Sequence, residues 1–300
     1  MPSDRSAAPE DPPSEPWTGA AQDGERFVFG DEAIRERWWG RPVAETRGWL
    51  ELGRLLGDPV LYGAGVPHGD GRPVVLMPGF LAGDQTLVLI AGWLRRLGYR
   101  PRLCGFVANT GCSDRTLDRV ERRVETLWRA YGRRVALIGH SRGGHFARAL
   151  AARRPDRVSH AISMGADLQG LFGASAPTLF AVDVARRVVH ASRRARSEAC
   201  LSAHCGCAFS HDFARRFPFE QVRLTSIYSK GDGVVHWQCQ VIPQANCIEV
   251  AGSHIGLVFN RKVYRAVAAA LALPELPTAD ASGPGTAGHG PTARLSGLGA

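Results

Sequence analysis

Between about residues 27 and 273 the chain alternates short apolar runs with longer stretches in which apolar residues recur every three or four positions. The short runs read as strands: Val74–Met77, Arg102–Phe106, Val135–Ile138, Val158–Met164, Val222–Tyr228 and Cys247–Val250. The longer stretches read as amphipathic helices. The clearest puts Leu117, Val120, Val124, Leu127, Trp128 and Tyr131 on one face and arginines and acids on the other, with Ser113 or Asp114 as cap and Gly132 at its end. Another runs over Leu87–Leu97 behind Asp84 as cap, another covers about Gly144–Arg154, and the last runs from Asn260, its cap, to Leu271. A helical lead-in is expected over Glu32–Leu56, anchored by Trp38, Trp39, Trp49, Leu50 and Leu55. Strands alternating with amphipathic connectors predict an α/β fold, a mostly parallel sheet of about six strands with helices on both faces.

The pattern fades at both ends. Residues 1–26 and 274–300 are rich in Pro, Ala, Gly and Ser and poor in large apolar residues, and both are expected to be disordered tails. One internal segment, about 167–220, is far longer than a crossover helix needs and is expected to form a helical cap or lid.

Composition narrows the class of protein without choosing a function. The 300 residues carry 37 basic and 28 acidic side chains, a net charge of +9. All the basic residues except Lys230 and Lys262 are arginine. Such a skew reads as codon usage, and no zinc-finger spacing or aromatic RNA-binding motif accompanies it, so nucleic acid is not an expected partner. The opening residues show no apolar core of a signal peptide and no apolar run spans a bilayer, so a cytoplasmic protein is expected. The seven cysteines are then expected to be mostly reduced, with Cys239 and Cys247 close enough in sequence to pair under oxidising conditions. Cys200, His204, Cys205, Cys207 and His211 crowd the insertion at a spacing that is not a standard zinc pattern, and no metal or cofactor is expected. Between Ser175 and Arg216 seven arginines stand against Asp183, Glu198 and Asp212. A transient contact with an anionic membrane surface would use that charge; a solvated helix face accounts for it as well.

The chemistry is concentrated in loops that follow strands. Gly139-His140-Ser141-Arg142-Gly143 stands between an apolar strand and a helix, the setting in which G-x-S-x-G forms a nucleophile elbow. A serine hydroxyl needs a base to take its proton. His254 follows the sixth strand on a loop of small residues, and Asp232, on a glycine-flanked turn after the fifth strand, is the candidate orienting acid. Loops after parallel strands gather at one edge of the sheet, so all three should share a rim. Asp167, after the fourth strand, is the rival acid. The backbone N–H groups of Arg142 and Phe80, the latter in Met77-Pro-Gly-Phe-Leu-Ala-Gly-Asp84, are candidates for an oxyanion hole. Phe80, Leu81, His140 and Val234 are expected to touch substrate.

These motifs, with Tyr228-Ser-Lys-Gly-Asp-Gly-Val-Val235 and Gly252-Ser-His-Ile-Gly-Leu257, resemble the α/β-hydrolase superfamily, most closely its bacterial lipase- and esterase-like members. The resemblance covers about residues 72–272 and implies a minimal α/β-hydrolase fold, a Ser141–His254–Asp232 triad and ester hydrolysis through an acyl-enzyme. It departs from larger relatives in having no readable pair of antiparallel opening strands, and in Pro78 where many members have His. An acyltransferase or thioesterase would use the same residues, and an inactive relative serving as a binding protein would keep only the fold.

Overall fold

In the computed structural model, residue 40 and residues 42–171, 173–192, 201 and 206–278 are described. Six parallel strands form one sheet: β1 (Pro73–Met77), β2 (Arg100–Leu103), β3 (Val135–His140), β4 (Val158–Met164), β5 (Arg223–Tyr228) and β6 (Asn246–Glu249). Their spatial order is β2-β1-β3-β4-β5-β6, so the order reverses between β1 and β3. The central strands are buried on both faces, which is why β1 and the Val135–Ile138 part of β3 read as unbroken apolar runs, while β4 buries Ser159, His160 and Ser163 among its apolar residues. Within each strand successive side chains still part company. Val74, Leu76, Ala136 and Ile138 enter one core, and Val75, Met77, Val135 and Leu137 enter the other.

Among the described residues seven α-helices cover the two faces. On the first lie α1 (Gly48–Leu56), α2 (Val88–Arg96) and α7 (Arg261–Ala272), packing Leu55, Trp93, Leu94, Tyr264 and Leu271 against the sheet. On the second lie α3 (Ser113–Tyr131), α4 (Arg142–Arg153) and α6 (Ala208–Ala214), contributing Leu117, Val124, Phe146, Phe209 and Phe213. Each such large side chain, fully buried, contributes about 1.5–3 kcal/mol. Helix α5 (Ala176–Ala191) belongs to the insertion and buries only Ala185 and Val189.

Several expectations need correcting. In the lead-in, a 3-10 turn at Pro42–Arg47 precedes α1, and the face of α1 turned inward carries Gly48, Glu51 and Leu55. Trp49 and Leu50 therefore point outward, 80% and 63% exposed, instead of anchoring the helix. Trp38 and Trp39 lie outside the described residues. Strand β2 begins two residues earlier than its apolar run because it pairs with Pro73–Leu76 through Arg100–Leu103. Asp84 starts a 3-10 turn and accepts from the Gly105 amide instead of capping α2. Asp114 does not cap its own helix either: its carboxylate accepts from Phe209 N at 2.8 Å, at the start of α6. Asn260 is the cap of α7, accepting from Lys262 N at 2.9 Å. Glu275 pairs with Arg72 and Arg134, and the Pro274 and Leu276 carbonyls accept from Arg223 and Arg134. Arginines at the base of the sheet, Arg72 and Arg134 of them buried, supply the donors that hold this short extension. Cys239 and Cys247 are not joined by a disulfide; Cys247 Sγ instead donates to the Ile242 carbonyl.

Candidate active site

The turn after β3 is built around close backbone approach. A side chain on Gly139 would collide with the Gly143 backbone, and one on Gly143 with the Met77 carbonyl. Between them Ser141 adopts φ +50°, ψ −123°, a conformation that costs a non-glycine residue about 1–3 kcal/mol. The turn is held in it by Ser141 N donating to Met164 O and Gly144 N donating to Ser141 O, both 2.8 Å. Arg142 opens α4, where a first-turn amide has no acceptor within the helix.

Opposite the turn, the loop after β1 passes so near that a Cβ on Gly79 would stand 3.1 Å from the Ser141 Cβ. Phe80 sits in this loop, bridged to Asn109. Asn109 donates from its side chain to Pro78 O at 2.8 Å and from its amide to Ala82 O at 2.9 Å. The Arg142 guanidinium in turn donates to the Asn109 and Gly111 carbonyls, both 2.7 Å, and to Ser113 Oγ at 3.1 Å. The residue after the elbow thus ties down the segment that carries the Phe80 amide.

His254 Nδ1 and Asp232 Oδ2 stand 2.7 Å apart and both side chains are buried. Asp232 is fully employed: Oδ1 accepts from Val234 N and Val235 N at 2.8 Å, and Oδ2 also accepts from Gln240 Nε2 at 2.9 Å. Burial works against a charged ring at His254, but the charge and hydrogen bond of Asp232, helped by Glu45, outweigh it and raise its pKa above the ordinary 6.5. His140 is held differently. Burial first, and then the neighbouring His254, push its pKa down to about 3. Its neutral ring donates from Nε2 to the His254 carbonyl at 2.9 Å, since a carbonyl can only accept. Gly165, at φ +68° after β4, leaves room for the pair: a Cβ there would stand 3.2 Å from His254 Nδ1 and 3.3 Å from Asp232 Oδ2.

The structure therefore brings Ser141, Asp232 and His254 to the carboxyl rim, after β3, β5 and β6. The His140 ring, next in sequence to Ser141, lies 4.9 Å from that of His254. Among the described residues no hydrogen bond joins the Ser141 hydroxyl to the ring. Asp167 is placed elsewhere in the network: its carboxylate accepts from Gln169, Gly170 and Gly173 amides and organises its own loop.

A cavity of about 840 Å3, its open mouth included, reaches Ser141. Phe80, Leu171, Leu179, Val182, Phe209, Val234 and Val235 give it an apolar wall, and Ser113, His145 and Asp167 add polar points. Of the four residues expected to touch substrate, Phe80 and Val234 line it. Leu81 is turned out to solvent, and His140 is buried behind the elbow. The insertion lines the cavity with Thr178, Leu179 and Val182 of α5 and is joined to the acid loop, with Ser175 N donating to Val234 O at 2.7 Å and Ala174 bridged to Val235. Cys200, His204 and Cys205 lie outside the described residues; no group of three potential metal ligands occurs among the rest.

Residue patterns did not point to Gln240, Gly165, Glu45 or Glu51. Glu45 and Glu51 reach the site from a helical segment far away in sequence, Gln240 from the stretch just past the acid turn and Gly165 from the end of β4, with no motif around any of them. Glu45 accepts from Gly233 N and His254 N at 3.0 Å and from Ile255 N at 2.7 Å, and Glu51 accepts from Ser253 N at 2.8 Å.

Comparison with known proteins agrees with this architecture. No curated protein matches the chain in sequence. Among solved structures, the mature lipase BlEst2 of Bacillus licheniformis superposes with a TM-score of 0.50 at 13% identity, over 72% of this chain and 97% of that one. A monoacylglycerol lipase of Paleococcus ferrophilus gives 0.46 at 14% identity, over 69% and 96%. The metagenomic carboxyl esterase MGS0156 gives 0.49 at 16%, over 76% and 91%. A family model for the alpha/beta hydrolase fold matches residues 102–278, more than half of the chain, and spans the elbow, the acid turn and the histidine loop. With the parallel sheet and its rim already in view, the chain belongs to the alpha/beta hydrolase fold family.

Proposed function

We propose that the protein is a serine hydrolase of carboxylic esters that works through an acyl-enzyme on Ser141. The observation that carries this reading is the 2.7 Å pairing of Asp232 with His254 Nδ1 on the same rim as a serine held at φ +50°. Asp232 fixes the proton on Nδ1 and so leaves Nε2 as the basic nitrogen. Nε2 takes the Ser141 proton as the hydroxyl attacks the ester carbonyl, a contact that tightens when substrate is bound. The amides of Phe80 and Arg142 hold the oxyanion, each donor contributing about 3–4 kcal/mol to the transition state. Nε2 then returns its proton to the leaving alcohol. Water repeats the sequence and frees the acid and Ser141. The apolar cavity beside the serine supports an acyl group as the part of the substrate that is buried.

The test is covalent labelling with a fluorophosphonate, alongside hydrolysis of p-nitrophenyl esters of increasing chain length. Wild type should be labelled and active. Ser141→Ala should be neither, and label on that variant at the wild-type level would refute the assignment. Asp232→Asn should lower kcat by roughly 10⁴-fold while the fold persists; a near-normal rate would remove Asp232 from the triad.

A further inference from the structure

We infer that Glu45, from the turn ahead of α1, is a positioning residue that sets the spacing of the acid and base loops and supplies a second negative charge behind His254. This rests on the ester-hydrolase reading and deepens it. Three hydrogen bonds carry it. Glu45 Oε1 accepts from both Gly233 N and His254 N at 3.0 Å, and Oε2 accepts from Ile255 N at 2.7 Å. One carboxylate therefore grips the residue after Asp232 and also the backbone of His254 itself. Ser229 Oγ bridges the same two loops nearer the strands, accepting from Gly231 N and donating to Gly252 O, whereas Glu45 bonds the backbone of His254 itself.

Glu51, one and a half turns on, extends the same support. Its Oε1 accepts from Ser253 N, and its other oxygen presses on Gly256 so closely that a side chain there would collide with it. The histidine loop is thus seated on two glutamates of the leading segment. The groups facing His254 are Asp232 at the ring, His140 beside the ring and at its carbonyl, and Glu45 at its amide. His140 stays neutral, so the two carboxylates are the charges that favour the imidazolium formed when Ser141 gives up its proton. A backbone anchor also limits the tilt of the ring toward Ser141, and displacement of a reacting group by an ångström can cost up to about 100-fold in rate.

The experiment compares wild type with Glu45→Gln, which keeps the shape and removes the charge, and Glu45→Ala. Three readouts are taken: kcat and KM on a short soluble ester across pH, the thermal midpoint, and the NMR titration of the His254 ring. Glu45→Gln should lower kcat by about 10- to 100-fold with KM nearly unchanged. The acid limb of kcat/KM and the ring titration should both move to lower pH, because loss of the charge removes support for the imidazolium. A purely structural role would lower the thermal midpoint and leave the acid limb where it is. An unmoved limb and ring titration in a folded variant overturn the proposal. The titration reads the ring without turnover. If wild type hydrolyses no ester, the functional reading fails, while a downward ring shift in Glu45→Gln still upholds the charge role.

Discussion

A carboxylate buried beside another carboxylate either holds a proton or carries an energetic cost, and Glu51 is in that position. Burial first, and then the charge of Glu45, raise its pKa above 4.5, against the opposing hydrogen bond from Ser253. The folded protein thus binds this proton more tightly than the unfolded chain does, and stability falls as pH rises from 4.5 through the raised value. Glu51→Gln, with no proton to lose, should match wild type at about pH 4 and exceed it in thermal midpoint at about pH 8. A midpoint difference that does not grow with pH contradicts this. Gly165 is the opposite case, where an added atom does harm. In Gly165→Ala the new methyl meets Leu257, His254 and Asp232 at a φ of +68°. The expected result is at least about tenfold loss of kcat, from displacement of the acid–base pair, together with a lower thermal midpoint. Unchanged turnover would show that the loop adjusts freely.

Among the elements, helices announced themselves more reliably than their caps did. The 3.6-residue spacing in α3 found Leu117, Val120, Val124 and Leu127, all buried, because one face of a long helix repeats the signal several times. Asp114 stood where a cap belongs and caps a different helix, since which amide a carboxylate reaches is decided by packing and not by its neighbours in sequence. Ser141, His254 and Asp232 were legible because each sits in a loop directly after a strand, where sequence order alone implies a common edge. Glu45 and Glu51 were not, because their roles depend on distances between segments that no local pattern encodes, and Gln240, eight residues past Asp232, carries no motif of its own. Leu81 and His140 flank the right loops but face outward and inward of the cavity, a choice made by backbone angles such as the φ of +60° at Leu81. Asp114→Ala should remove the hydrogen bond to Phe209 N at the start of α6 and cost about 1 kcal/mol, measured by chemical denaturation. A loss below a few tenths would mean that Phe209, Phe213 and the Asp212–Arg153 pair suffice to hold α6 in place.

Across the whole molecule, basic residues at the foot of the sheet meet the chain where it leaves α7. Arg72 and Arg134 are buried and share Glu275, while His160 lies between Arg72 and the Leu273 carbonyl. Glu275→Ala should cost about 1–2 kcal/mol of stability, with the loss shrinking as salt is added, as followed by urea unfolding. No change at low salt would show that the carbonyls of Pro274 and Leu276 suffice. None of this touches the rim, so turnover should be unaffected.

The contact from Glu45 to the histidine loop spans 209 residues. During synthesis, the segment carrying Glu45 leaves the ribosome long before its donor partners exist, and closure over such a separation is entropically slow. The complete site is therefore among the last parts of the molecule to assemble. A fusion or truncation near residue 45 would yield protein with an intact sheet and an ill-fitted base. For this chain, recovery of soluble, folded material is a poor guide to the yield of competent molecules, and tags belong at the other terminus.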